Sequence, residues 1–328
     1  MKSNHKYITA FLQASWRVTA YSVITVLLAC ACYTTGLRAS SQSDPSIFVP
    51  GIIPTSVLNS AAPAFTPDGN TVYFFQSSGG ANVTIVFSQR SGDQWSDPKT
   101  AVFSGKYRDL EPAFAPDGKY LIFASNRPTT PNGAVLDGHY NGKVFAGSGG
   151  NLWRVSLTKE GWQEPEWLPA LINSNSSVFS PAVSGDGSLY FMRAEDGGRF
   201  HIYRSQMRHG KYETPVLASF SDAEHGEYDP AVAADESYLI FSSGRPPAPP
   251  KTTDLFIVFR TANGWGEPID LRSALSDNVH GIEARLSPDG KTLYYSNSRG
   301  PSGADVPNGR FIWRVDLTAL LKSHGAGQ

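Results

Sequence analysis

A motif that returns five times limits the possible folds of this chain more than any other feature. The copies are APAFTPDGNTVYFF from Ala62, EPAFAPDGKYLIFA from Glu111, SPAVSGDGSLYFMR from Ser180, DPAVAADESYLIFS from Asp229 and EARLSPDGKTLYYS from Glu283. Their turn aspartates, Asp68, Asp117, Asp186, Asp235 and Asp289, are separated by 49, 69, 49 and 54 residues, and one insertion in the second repeat accounts for the 69. A period near 50 means supersecondary units that bury their faces against one another.

Each copy reads as two strands around a tight turn. Asp-Gly supplies the positive φ that a hairpin turn needs; the fourth copy has Asp235-Glu236 instead, so its turn is expected to differ. The second strand is a continuous apolar run, such as Tyr120-Leu121-Ile122-Phe123, which suits a strand covered on both faces. A third strand follows: VTIVF from Val83, NLWRV from Asn151, HIYRS from His201, DLFIVF from Asp254 and FIWRV from Phe311. An aromatic-x-x-Pro signature (Trp95/Pro98, Trp162/Pro165, Tyr212/Pro215, Trp265/Pro268) then announces a fourth strand, where proline is tolerated on an exposed edge.

Four strands per repeat make propeller blades. The fifth repeat ends after its third strand, near Leu321. Ile47-Phe48-Val49-Pro50 fits the outer-strand signature, with Ile47 in the aromatic place. Residues 46 to 58 are therefore expected to complete the last blade and close the ring, which protects its end edges. The expected fold is all-β: a five-bladed β-propeller of four-stranded antiparallel blades, closed by an N-terminal strand. The expected organisation is a signal or anchor segment at 1–38, a linker at 39–45, the propeller at 46–322 and a flexible tail at 323–328.

The phrases EPAFAPDGKYLIFASNR and EARLSPDGKTLYYSNSR resemble the TolB-type (Pro-Asp-Gly repeat) β-propeller family, over about residues 45 to 320. The resemblance is to the propeller module, not to complete TolB. It implies an extracytoplasmic binding scaffold, since the family includes the periplasmic Tol-Pal component that binds partner proteins. It also includes propellers attached to peptidases, but no Gly-x-Ser-x-Gly elbow occurs here.

The N-terminus reads as a targeting segment. Lys2, His5, Lys6 and Arg17 precede an uncharged stretch from Val18 to Leu37. This pattern suits a cleaved secretory signal or a retained membrane helix. Leu27-Leu28-Ala29-Cys30 also resembles a lipobox, which makes Cys30 the candidate lipidation site. All three readings put the domain outside the cytoplasm: periplasmic or secreted, or lipid-anchored at Cys30. Cys30 and Cys32 are the only cysteines, so the propeller has no disulfide and no thiol nucleophile.

A net charge of -1 argues against a nucleic-acid partner. No cofactor is implied. The expected partner is an envelope or extracellular protein or glycan, met by a monomer that touches membrane only through its N-terminal segment.

The topology puts the residue before each repeat proline, and the loop after each second strand, on one face, here called the top. Glu111, Asp229 and Glu283 open blades 2, 4 and 5, and Arg127, Arg245 and Arg299 follow the second strands of the same blades. Acid and arginine occur together or not at all. They are either structural ion pairs or a charged ring that binds a polar ligand. His225, His280 and, in the blade 2 insertion, His139 and Tyr140 are further ligand-binding candidates. The histidines lack metal-ligand spacing, and no metal is assigned. The leading expectation is a non-catalytic binding module working through its top-face loops. The alternative is a glycoside hydrolase- or lyase-like enzyme using the acids at the channel mouth, although arginine partners would depress the raised pKa that a catalytic acid needs. Export has a direct check: the mature protein should begin after residue 1, or carry lipid on Cys30, by mass spectrometry. An intact Met1 on cytoplasmic protein would refute it.

Overall fold

The computed structural model describes residues 44–49, 51, 59–78, 83–195, 197–222, 224–300, 304 and 309–327. Cys30 and the rest of the targeting segment lie outside the described residues, as do Pro50 and 52–58 of the expected closing segment and most of the blade 5 top loop.

Five antiparallel sheets form the blades. From the axis outward, blade 1 is Asn59–Phe65, Thr71–Ser77, Val83–Ser91 and Lys99–Thr100. Blade 2 is Asp109–Phe114, Tyr120–Ser125, Asn151–Thr158 and Glu166–Trp167. Blade 3 is Val178–Val183, Leu189–Ala194, Phe200–Ser205 and Val216–Leu217. Blade 4 is Glu227–Val232, Tyr238–Ser243, Asp254–Thr261 and Ile269–Asp270. Blade 5 is Ile282–Leu286, Thr292–Asn297 and Phe311–Asp316, with Ser46–Ile47 as its outer strand. Each inner strand packs against the inner strands of both neighbours, the first against the fifth included. The apolar second strands are buried along their length, as in Tyr120–Ser125 and Tyr238–Ser243, because a neighbouring blade covers each face.

The ring closes through the N-terminal strand, in a register different from the one the sequence suggests. Ile47 lies opposite Trp313, just as Trp167 lies opposite Trp153 in blade 2. Phe48 N donates to Ile312 O at 2.7 Å, matching Leu168 N to Leu152 O at 3.1 Å and Ala218 N to Ile202 O at 2.8 Å. Ser46 and Ile47 thus match Glu166 and Trp167, which directly follow Pro165. The proline equivalent to Pro165 is therefore Pro45, not Pro50. The signature misleads because its aromatic residue belongs to a small hairpin ahead of the outer strand, such as Gly161–Trp162. The outer strand proper begins just after the proline.

Two other expectations are corrected. The Asp235-Glu236 turn keeps the geometry of the Asp-Gly turns: Glu236 takes φ 56°, close to Gly118 at 72° and Gly290 at 67°. Glu236 N donates to Ala233 O at 2.9 Å, as Gly118 N does to Ala115 O. The side chain offsets the strain by joining blades 3 and 4, since its carboxylate meets Arg204 at 2.8 Å and Arg260 at 2.7 Å. Residues 323–327, expected as a tail, instead pack on the blades. The helix Thr318–Ser323 buries Leu320 and Leu321, His324 stacks on Phe259 at 4.2 Å, and Ala326 is buried.

Phe48 shows what closure is worth. It is buried, with ring centroids 5.2 Å from Tyr294 of blade 5 and 5.8 Å from both Phe65 and Trp95 of blade 1. One side chain thus seals the seam between the last blade and the first. Phe48→Ala should lower stability by about 3–5 kcal/mol. Removing residues 1–48 should depress the Tm far below that of a protein lacking only 1–43. Equal melting temperatures for the two truncations would contradict closure by this strand.

Candidate functional site

The site grows out of a backbone irregularity repeated in every blade. The first residue of each motif has a left-handed conformation: φ is 52° at Ala62, 54° at Glu111, 47° at Ser180, 54° at Asp229 and 60° at Glu283. Pairing with the second strand shifts register at each of these positions, which defines a β-bulge. A non-glycine residue in this region costs roughly 1–2 kcal/mol, so hydrogen bonding and packing around it must hold it there.

The bulged residues meet across blade boundaries. Ser180 N donates to Glu111 Oε2 at 2.7 Å, and Ser180 Oγ donates to Asp229 Oδ1 at 2.7 Å. Glu283 N donates to Asp229 Oδ2 at 3.1 Å. Glu283 pairs with Arg310, whose backbone carbonyl accepts from Ser60 N of blade 1 at 3.0 Å. A chain of hydrogen bonds therefore runs through all five blades around the axis. Glu111, Asp229 and Glu283 are only 5%, 5% and 4% exposed.

Three carboxylates so close and so dry cannot all ionise freely. Burial and the neighbouring Asp229 push the Glu111 carboxyl up to about 7, with Glu283 adding to the effect and Arg285 and the Ser180 N–H opposing it. Burial also raises Glu283, against the pull of Arg310. The cluster thus places a carboxyl that is partly protonated near neutral pH beside two other acids.

The expected arginine partners are elsewhere. Arg127 pairs with Asp109, not Glu111, at 2.8 Å, and Arg245 pairs with Glu227, not Asp229, at 2.8 Å. Both pairs are buried. Asp109 also accepts from Ser104 Oγ at 2.8 Å, and Glu227 from Ser221 Oγ at 2.9 Å. His201 Nδ1 lies 2.7 Å from Glu227 Oε2. These pairs pin inner strands, as structural devices do. In blade 5 the corresponding acid position is Gly281, where a Cβ would collide with the Ser296 carbonyl. Arg299 has no ion pair among the described residues, and its carbonyl accepts from Trp313 Nε1 at 3.0 Å.

The remaining candidates sit around the rim. His225 Nδ1 is 3.2 Å from Asp222 Oδ1, and His280 lies against Asn297. His139 is exposed and belongs to a hairpin in the blade 2 insertion, Gly138–Tyr140 with Lys143–Phe145. Its turn, Asn141-Gly142, has φ 52° and 68° and hydrogen bonds to Gly198 O and Gly197 O of blade 3. Tyr140 stacks on Phe145 at 4.2 Å and leans on Phe200 at 5.0 Å. Its phenol feels both Glu111 and Arg108 electrostatically. The hairpin therefore sets an aromatic wall beside the acid cluster. Among the described residues no group of three His, Cys, Asp or Glu side chains is arranged to hold a metal ion.

Sequence reasoning missed Asp109, Glu227, Ser180, Arg285 and Arg310. Asp109 and Glu227 stand two residues before the acids of blades 2 and 4, a coincidence legible in the repeat. Arg285 is legible too: it replaces the alanine of the Pro-Ala pair found in the other four copies. The Asn-Gly pair at 141–142 marks the hairpin. Arg310 gives no comparable signal.

No protein-family model matches the chain, and neither does any curated protein. Solved structures do. A thermostable family-43 glycoside hydrolase superposes with a TM-score of 0.52 at 16% identity, covering 81% of this chain and 90% of that one. The catalytic domain of an α-L-arabinofuranosidase from Coprinopsis cinerea gives 0.51 at 13% identity, covering 83% and 95%. TolB from Acinetobacter baumannii gives 0.44 at 16% identity over 78% of this chain, which spans 54% of that protein's length. The likeness is one of fold. Among the described residues no helix is long and apolar enough to cross a membrane.

The raised Glu111 pKa has a thermodynamic consequence. Folding lifts it from 4.5 to about 7, so the native state holds a proton that the unfolded chain releases at lower pH. Stability from this group is complete below the usual glutamate range and is lost as pH rises through the raised value of about 7. Urea unfolding of Glu111→Gln should lack this fall between pH 4.5 and 7.5. Parallel pH profiles for the two proteins would rule out the raised pKa.

Proposed function

We propose that the chain is an exported glycan-binding propeller whose top-face acid cluster receives the ligand. The supporting observation is the cluster itself: Glu111, Asp229 and Glu283 share the same bulge, Ser180 links Glu111 to Asp229, and the Glu283 N–H donates to Asp229. Carboxylates accept hydrogen bonds from sugar hydroxyls, and a protonated carboxyl donates one. The half-buried, mutually stacked Tyr140 and Phe145 offer apolar faces of the kind on which sugar rings rest. Three acids set against Arg285 and Arg310 favour neutral or amino sugars over acidic ones. The deep burial of the acids and the Glu283–Arg310 pair favour binding over turnover.

One observation favours a second reading, glycoside hydrolysis. Glu111, at about 7, has the pKa of a general acid beside a second carboxylate, Asp229. The expected partner Arg127 is committed to Asp109, and Arg285 opposes the rise without reversing it.

Calorimetry with chito-, arabino- and xylo-oligosaccharides tests both readings. The expected result is saturable binding that Glu111→Gln and Asp229→Asn weaken at least about tenfold, the equivalent of one lost charge-assisted hydrogen bond, with the fold intact by circular dichroism. Release of reducing sugar by wild type but not by Glu111→Gln would establish hydrolysis. Full-affinity binding by both variants would exclude this site.

A further inference from the structure

The lower half of the channel, opposite the top face, holds a cavity of about 570 Å³ lined from all five blades. Its wall is the Ala position of each Pro-Ala pair: Ala64, Ala113, Ala182 and Ala231. In blade 5 that position is Arg285. One cation thus breaks a ring of small apolar side chains, and Phe65, Phe114, Val183 and Leu286 extend the apolar surface toward the mouth.

Arg285 is 5% exposed. Nη1 donates to Ala284 O at 2.7 Å, but Nε and Nη2 are buried without a hydrogen-bond partner. These two nitrogens form one edge of the guanidinium, the edge that meets a carboxylate in two parallel N–H···O bonds. Leaving charged donors buried and unpaired is costly, so a ligand that satisfies both relieves a cost already present in the fold. Glu111 and Glu283 lie near enough to interact electrostatically with Arg285, yet neither makes an ion pair with it among the described residues. Neighbouring protein atoms cover the edge. The acids at the mouth are committed to their own turns: Asp235 accepts from Ser237 N at 2.9 Å, and Asp289 from Ser287 Oγ and from Lys291 N at 3.1 Å.

We propose that the Arg285 side chain turns into this lower cavity to bind a small monocarboxylate with an apolar body, the carboxylate on its Nε–Nη2 edge and the body against the alanine ring. The apolar walls select the body, and the planar fork selects a carboxylate over a spherical anion. The cavity opens on the face opposite the acid cluster, shares with it only the electrostatic reach of Arg285, and does not depend on the glycan reading.

The test is calorimetry on the folded protein with butyrate, hexanoate and octanoate, with octanol and inorganic phosphate as controls. Saturable binding is expected, tightening with chain length and weaker by at least about tenfold for octanol and phosphate, as loss of the fork or of the apolar contacts requires. Arg285→Ala supplies the residue the other four blades carry and should weaken octanoate binding at least about tenfold. Arg285→Lys keeps the charge without the fork and should fall between. It also serves as the reporter if the alanine variant does not fold. Absence of saturable octanoate binding would overturn the proposal. So would octanol binding as tightly as octanoate, or variants that bind like wild type. Oligosaccharide titrations on the same wild-type samples separate the two readings: octanoate binding is expected whether or not any oligosaccharide binds, so failure of the glycan reading leaves this test intact.

Discussion

The left-handed residue within every inner strand is the constraint on which the rest of this structure depends. Five strands converge on one axis, and each must present a side chain there while keeping its ladder with the second strand. A regular strand would continue its alternation past the top of the channel. The bulge instead turns one residue inward and lets the blade proceed. The strain is local and is held by bonds between blades, such as Ser180 N to Glu111 and Glu283 N to Asp229. The groups that fix the ring are thus also the groups that could meet a ligand.

The same bulge explains what the sequence conceals. Residues two apart on a strand share a face, so Asp109 and Glu111 read as alternatives for the same arginine. The register shift between Leu110 and Ala113 breaks that equivalence. Asp109 stays with the blade and binds Arg127, while Glu111 goes to the axis. The number of blades, their strand order and the N-terminal closure were legible, because the repeat period and the apolar runs follow directly from burial on both faces. The proline register of the closing strand was not, because Pro45 and Pro50 both stand near the right place and only the pairing of Ile47 with Trp313 distinguishes them. Glu236 was hidden for a different reason. A left-handed turn without glycine has no composition signal, and its compensation comes from Arg204 and Arg260, distant in sequence.

Departures from the repeat's near-symmetry carry the chemistry. Ala62 and Ser180 stand where the other blades have carboxylates, and Arg285 stands where they have alanine. Gly281 removes an acid from blade 5 at a point where no side chain fits. A propeller of five identical blades would have either no charge on its axis or five like charges. This one has a lopsided set of three acids with Arg285 and Arg310 alongside, and burial together with the neighbouring Asp229 pushes the Glu111 carboxyl up.

That coupling is open to direct measurement. The carboxyl carbon of Glu111, followed by NMR through a pH titration, reports its own protonation. An apparent pKa near 7 is expected, and in Asp229→Asn it should move down toward the usual glutamate range, because the Asp229 charge helps to raise it. A Glu111 carboxyl that titrates near 4.5 in both proteins would contradict an axial cluster of coupled acids.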